Sequence, residues 1–252
     1  RGENAPGLLL VCNAGEEGLG NLKGVHKICE DYGDRMERFC TFDSSLSSIV
    51  DRAVGSKRFR VKVRTRGGHS YNDFGNDNAI AGLASLVGKL YKIQVPEGGK
   101  TTYNVGMISG GTSVNTIAQE AGMLYEFRSD KRENLEYMER QFMKVIDRGK
   151  SEGMDVSLEI IGVRPCEGPV DPKRKQALSD WAHRVVEEMT GQAPKHCAGS
   201  TDCNIPLSLG IPSVCVGSFR GAGAHTREEY VETDSLEEGY KVAFGMIFGS
   251  RD

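Results

Sequence analysis

This 252-residue chain lacks any Cys-x-x-Cys pair. Its seven cysteines (Cys12, Cys29, Cys40, Cys166, Cys197, Cys203 and Cys215) are an odd number, and most sit within apolar runs. That pattern speaks against a disulfide frame and against a paired-thiolate metal site. It predicts reduced core thiols and a cytoplasmic location. No apolar run reaches the length of a membrane span, and the opening residues do not have the form of a signal peptide, so no membrane partner is expected. Basic residues form no block: 32 Lys and Arg face 35 Asp and Glu, for a net charge of -3. This excludes the electrostatic footprint of a nucleic-acid binder. Repeats and low-complexity tracts are also missing. Histidine is scarce, with only His26, His69, His183, His196 and His225, and none is followed two positions later by Asp.

What is present suits a globular protein able to bury a sizeable core, with 38% hydrophobic and 27% charged residues. Leu8–Cys12 is a short apolar run of the kind a buried parallel strand gives. Glu16 and Glu17 follow, wedged between Gly15 and Gly18. Leu19, Leu22, Val25, His26, Ile28 and Cys29 then predict a helix over Leu19–Tyr32, ended near Gly33. In open α/β sheets, ligands bind at the carboxyl ends of strands such as this one. Two adjacent carboxylates there repel each other and cost desolvation unless a cation or a shared proton offsets them. A solvated acidic turn is the plainer alternative. The polar start, Arg1 to Pro6, has no initiator Met and runs straight into an inner strand. The expectation is therefore a piece of a longer chain.

Arg38–Phe42 reads as a second strand that delivers Asp43, and Ser44 to Val54 as a connection with little periodicity. The character then changes. Phe59, Val61 and Val63 alternate with Arg58, Arg60, Lys62 and Arg64, which predicts a half-exposed strand over Arg58–Thr65. Asn78–Tyr91 is amphipathic, Thr101–Ile108 and Met123–Arg128 read as strands, Leu135–Ile146 as a helix and Val156–Ile161 as a strand. The resulting β-α-β-β-α-β order is a split βαβ layer, complete in itself and so a separate insert. After Pro165 the first character returns. Asp171-Pro172 starts a helix that Gly191 stops, Ser213–Val216 is a buried strand, a glycine-rich loop leads to His225, and Thr233 or Asp234 caps a last helix. One α/β domain interrupted by an α+β insert is expected.

Five groups fall at strand ends or in glycine loops: Glu16, Glu17, Asp43, Asp202 and His225. Carboxylates and an imidazole at one sheet edge suit Zn, Mn or Co. Glu16 and Glu17 point apart in an extended turn, so one can bind metal while the other faces water. Each residue has a simpler reading: Asp43 as an N-cap, Asp202 as a cap on the turn before Pro206, and His225 as an ordinary loop residue.

Taken in order, Gly15-Glu16-Glu17-Gly18-Leu19-Gly20, Phe42-Asp43, Arg52-Ala53-Val54-Gly55-Ser56, Gly67-Gly68-His69-Ser70, Gly110-Gly111-Thr112-Ser113-Val114-Asn115 and Gly223-Ala224-His225-Thr226 resemble the motifs of the M20 metallopeptidase family, closest to its tripeptidase-like branch. The resemblance covers nearly the whole chain. It implies an open mixed-sheet catalytic domain in two segments, 1–55 and 165–252, interrupted by a lid or dimerisation domain at 56–164. It implies Glu16 as general base, His69 as oxyanion stabiliser, and Glu17, Asp43 and His225 as ligands of two divalent metal ions, zinc first, with Mn or Co as alternatives. Asn115, Arg128, Ser200, Thr201, Asp202 and Gly217 would bind substrate. Locally, His69 can equally be a turn residue, Arg128 an edge-strand charge paired with Asp130 or Glu126, and Asn115 a turn former at positive φ. The family's upstream His-x-Asp motif has no counterpart here, so the first part of the catalytic domain is expected to be missing and the chain alone to be inactive. The implied reaction is hydrolysis of an amide bond in a short peptide. An N-acyl amino acid deacylase or desuccinylase, or an inactive product that keeps only the dimerisation module, are the alternatives. The insert is expected to form a homodimer through an exposed edge or helix, with Arg58–Thr65 or Thr101–Ile108 as candidate edges.

Overall fold

Alternation along the chain decides one of the two four-stranded sheets. The computed structural model describes residues 7–249. In chain order these form α1 (Lys23–Tyr32), β1 (Phe39–Phe42), β2 (Ser48–Ala53), β3 (Gly55–Arg64), β4 (Gly68–His69), α2 (Ala79–Leu90), β5 (Thr101–Gly110), β6 (Thr116–Ile117), β7 (Glu120–Ser129), α3 (Arg132–Ser151), β8 (Asp155–Arg164), α4 (Pro172–Thr190), β9 (Lys195–Gly199), α5 (Asn204–Ser208), β10 (Ser213–Val216), β11 (Arg220–Ala222), β12 (Tyr230–Glu232) and α6 (Leu236–Phe248).

The insert sheet runs β5-β7-β3-β8 and is antiparallel throughout. Phe59, Val61 and Val63 of β3 and Met123, Tyr125 and Phe127 of β7 turn to one face. There they pack on Leu83, Leu86 and Leu90 of α2 and on Met138, Phe142 and Ile146 of α3. Burying each of these large side chains contributes about 1.5–3 kcal/mol. The opposite face carries a charge ladder that fixes register: Arg58 bonds Glu126, its partner across β7, and Arg60 bonds Glu159, its partner across β8. The β-α-β-β-α-β expectation is met. Because β3 is paired on both sides, Arg58–Thr65 offers no free edge, which corrects that half of the dimer expectation. Thr101–Ile108 lies in β5, which is an edge strand. Asn78 starts α2 by accepting from the backbone N–H groups of Ile80 and Ala81. Replacing it with alanine should cost about 1 kcal/mol, read as a lowered urea midpoint with an unchanged slope.

The second sheet runs β1-β10-β2-β9. β1 is parallel to β10, β10 antiparallel to β2, and β2 parallel to β9, so the sheet is mixed and open. Ile49, Val214 and Val216 face α4 and α6, where Trp181, Val186 and Val242 cover them. Val50 and Cys215 face the other way, toward Cys203 and Leu207 around α5. α1 buries Val25 and Cys29 against Ile205 and Phe39 on that side. Asp171 caps α4 with Pro172 at its first turn, and Gly191 ends it at φ 70°, as expected.

Four expectations are corrected. Leu8–Cys12 forms no strand; Leu8, Leu9, Leu10 and Val11 are each about half exposed or more, because among the described residues no strand pairs with them. The first helix begins at Lys23, not Leu19, because Asn21 and Leu22 are left-handed, at φ 53° and 65°. Ser48–Ala53 is a strand rather than a connection: Ile49 and Val50 are both buried, one on each face, so the segment shows no alternation. Thr233 and Asp234 belong to a 3₁₀ turn ahead of α6, and neither caps it.

Candidate active site: an acidic turn clamped by a buried arginine

The chain leaves the mixed sheet at Val54 and returns to it at Pro165. Asn204, fully buried, holds both crossings: its amide donates to the carbonyls of Val54 and Pro165, at 2.9 Å each, and its Oδ1 accepts from Thr201 N–H. The acidic turn is tied to the same junction. Arg58 donates to the Gly18 carbonyl, Val163 N–H to Asn21 Oδ1, and Arg164 to Glu16. Gly15 takes φ 77°, and a Cβ on Gly20 would stand 2.6 Å from the Gly15 carbonyl oxygen, so the turn cannot close with larger residues.

Arg164 is 4% exposed. One guanidinium nitrogen donates to Glu16 Oε1 at 2.9 Å and to Ser200 Oγ at 3.2 Å, and a second donates to the Glu16 carbonyl at 2.5 Å. The last residue of the insert sheet thus grips the acidic turn and the Ser200–Asp202 loop together. Burial pushes the Glu16 carboxyl up. Arg164 opposes that, while Glu17, Asp202 and Asp43 add to it. Burial also pushes Asp202 up, with Asp43 adding to it and the Asn13 hydrogen bond and Arg164 opposing it. Asn13 donates to Asp202 Oδ2, and Asp202 Oδ1 is buried without a hydrogen-bond partner. Asp202 is therefore a buried member of the site rather than a turn cap. Glu16 and Asp202 are thus two carboxyls raised by burial, each opposed by the same Arg164 guanidinium.

The remaining expected residues fall into separate settings. His69 and Asn115 come together through the β4–β6 ribbon, where Ser70 N–H donates to the Asn115 carbonyl. The His69 Nδ1 accepts from the N–H groups of Tyr71 and Asn72, so the neutral ring carries its proton on Nε2. Asp73 accepts from His69 N–H at 2.7 Å and holds the turn. The Asn115 side chain accepts from Ser113, and its backbone is not left-handed. Arg128 lies on the interior strand β7, not on an edge, and its fork is occupied by Glu126 at 2.9 and 3.1 Å. Gly217 lets β10 approach the β1–β2 connection, since a Cβ there would stand 2.1 Å from Ser45 backbone atoms. His225, at φ 66°, sits in the β11–β12 hairpin loop with its N–H on Glu229.

The orphaned Asp202 oxygen and the crowded carboxylates suit a divalent cation in kind. Among the described residues, however, no three His, Cys, Asp or Glu side chains converge to hold one, so Glu17, Asp43 and His225 do not make a complete centre. Sequence reasoning missed Arg164 and Asn204. Neither announces itself locally, because the contacts that join the segments, Arg164 to Glu16 and Ser200 and Asn204 to Val54 and Pro165, span 36 to 150 positions.

Residues 53–154 match the family of the M20 peptidase dimerisation domain. No curated protein matches by sequence. Among solved structures the chain is similar to aminopeptidase PepT from Bacillus cereus, at 21% identity and TM-score 0.69, over 93% of this chain and 62% of that one. A tripeptidase from Staphylococcus aureus is similar at 21% identity and TM-score 0.68, over 90% and 60%. An aminobenzoyl-glutamate utilization protein from Klebsiella pneumoniae follows at 16% and 0.63, over 87% and 56%. These likenesses are of fold, and the chain spans about 60% of the length of these structures. The resemblance to the M20 peptidases is borne out over residues 53–154, and the likeness to PepT and the tripeptidase is one of fold.

Proposed function

We propose that this chain serves the metal-dependent hydrolysis of an amide bond in short peptides, in the cytoplasm and as a homodimer. Glu16 is the general base, and His69, with its proton on Nε2, donates to the developing oxyanion. Glu17, Asp43 and His225 are this chain's contribution to a two-metal centre, zinc in the first instance and Mn or Co otherwise. Such a metal, when bound, supplies Lewis acidity. Asn115, Arg128, Ser200, Thr201, Asp202 and Gly217 orient the substrate, and a substrate carboxylate reaches Arg128 by displacing Glu126. The domains divide at 55/56 and 164/165.

The observation that carries this reading is the buried Arg164 clamp on Glu16, with the raised Asp202 carboxyl in the same electrostatic field, beside a sheet most of which is matched to a peptidase dimerisation domain. Burial favours a protonatable Glu16 over a permanently charged one, which is what a proton carrier needs. A side-by-side assay of the full-length protein with a tripeptide and an N-acetyl amino acid tests it. Tripeptide cleavage that a chelator abolishes is expected. Cleavage of the N-acetyl substrate alone would make the protein a deacylase, and cleavage that survives the chelator would overturn the metal dependence.

The dimer is assigned to the β5 edge, where Met107 and Ile108 are 65% and 61% exposed. Sedimentation should give twice the chain mass, and Ile108→Lys should return the monomer. A wild-type monomer would rule the dimer out.

A further inference from the structure

Away from the acidic turn, three elements bring together a chain of polar side chains that the proposed hydrolysis does not use. Asp51 on β2 accepts from His196 on β9, with 2.6 Å between Oδ2 and Nδ1. The His196 Nε2 lies 2.9 Å from Nδ1 of His183 on α4. The ring planes differ by 6°, and the centroids are 5.2 Å apart. Since the nitrogens are so much closer than the centroids, the rings meet edge to edge in one plane and are not stacked face to face. Ser179, buried, donates to the same Asp51 oxygen at 2.8 Å, and Arg52 stands 3.6 Å from the other.

The order of protons follows from the ends of this chain. A carboxylate only accepts, so the His196 Nδ1 carries hydrogen and its Nε2 offers a lone pair. That lone pair takes the N–H of His183 Nδ1. The His183 Nε2 is left with a lone pair, turned toward Glu187 one helical turn on, with Oε2 at 3.8 Å. A carboxylate-anchored imidazole that presents its second nitrogen beside another carboxylate is the donor arrangement of a borderline divalent cation. A tetrahedral zinc ion, about 2.1 Å from each donor, needs them roughly 3.4 Å apart. Glu187, with its side chain 54% exposed, can turn through that difference.

We infer that His183 and Glu187 form a surface site for a cation of the Zn2+ class, with His196 and Asp51 as positioning residues that fix the donor tautomer. No third such side chain completes it among the described residues, so water fills the other positions. The site shares no residue with the acidic turn and does not depend on the proposed hydrolysis. Nitrogen NMR of the metal-free chain should show the His183 proton on Nδ1, and titration with ZnCl2 should shift its Nε2 as a single site. His183→Ala, at a half-buried position, and Glu187→Gln, at an exposed one, should each remove one equivalent of bound zinc, and His196→Ala should weaken that site about 10–100-fold. A His183 proton on Nε2, or unchanged zinc stoichiometry in both ligand variants, would overturn the assignment.

Discussion

Arg164→Met should lower the stability of the folded chain by about 3–5 kcal/mol, the cost of leaving a buried charge without its partner. The side chains of the Arg164–Glu16 pair are only 5% and 16% exposed. Methionine fills most of the volume but donates nothing. The Glu16 carboxylate and carbonyl and the Ser200 oxygens all lose their guanidinium hydrogen bonds. Glu16 then faces Glu17, Asp43 and Asp202 with no cation among them. The penalty has a definite pH dependence. The folded-state pKa of Glu16 is already raised from 4.5, so between the two values the folded state binds a proton more readily than the unfolded state. Its contribution to stability is therefore full below that value and is lost as pH rises through the raised one. Removing Arg164 raises it further, so the gap between variant and wild type should widen from acid to neutral pH. Urea midpoints across that range check the claim, and a gap independent of pH would place the loss in packing instead. Adding Glu16→Gln to Arg164→Met should recover part of the loss, because the stranded charge is gone.

The legible parts of the fold were those where one face meets water. β3 announced itself through Phe59, Val61 and Val63 set against four basic residues, and α4 through Asp171-Pro172 and Gly191. β2 and β9 carry no alternation for opposite reasons: β2 is buried on both sides at Ile49 and Val50, and Lys195–Gly199 is short and polar at its start. Leu8–Cys12 looked like a strand because composition reports burial tendency and says nothing of a neighbour to pair with. At the site, the glycines around Glu16 and Glu17 and the place of Asp43 after β1 were readable, since backbone strain and strand ends leave local marks. The clamp was not. Arg164 reads as one more polar position in an alternating strand, and only the folded chain brings it against Glu16, 148 positions earlier.

Glu16→Gln should reduce turnover of the full-length protein by about 10²–10⁴-fold, the usual contribution of a positioned proton carrier. Glutamine keeps the shape, and its carbonyl still accepts from Arg164, so the turn stays clamped and the assay reads chemistry rather than unfolding. On the proposed division of roles, bound metal should be unchanged in this variant and reduced in Glu17→Gln. Loss of metal from Glu16→Gln would reverse the roles. Asp202 is the competitor the structure supplies: more deeply buried than Glu16, also shifted up, and with one oxygen free of hydrogen bonds. Its other oxygen is held by Asn13 on the same segment as the acidic turn, which suits a residue that braces the loop. Asp202→Asn should therefore cost stability more than turnover per folded molecule. Full turnover in Glu16→Gln together with loss in Asp202→Asn would move the base from the turn to the loop.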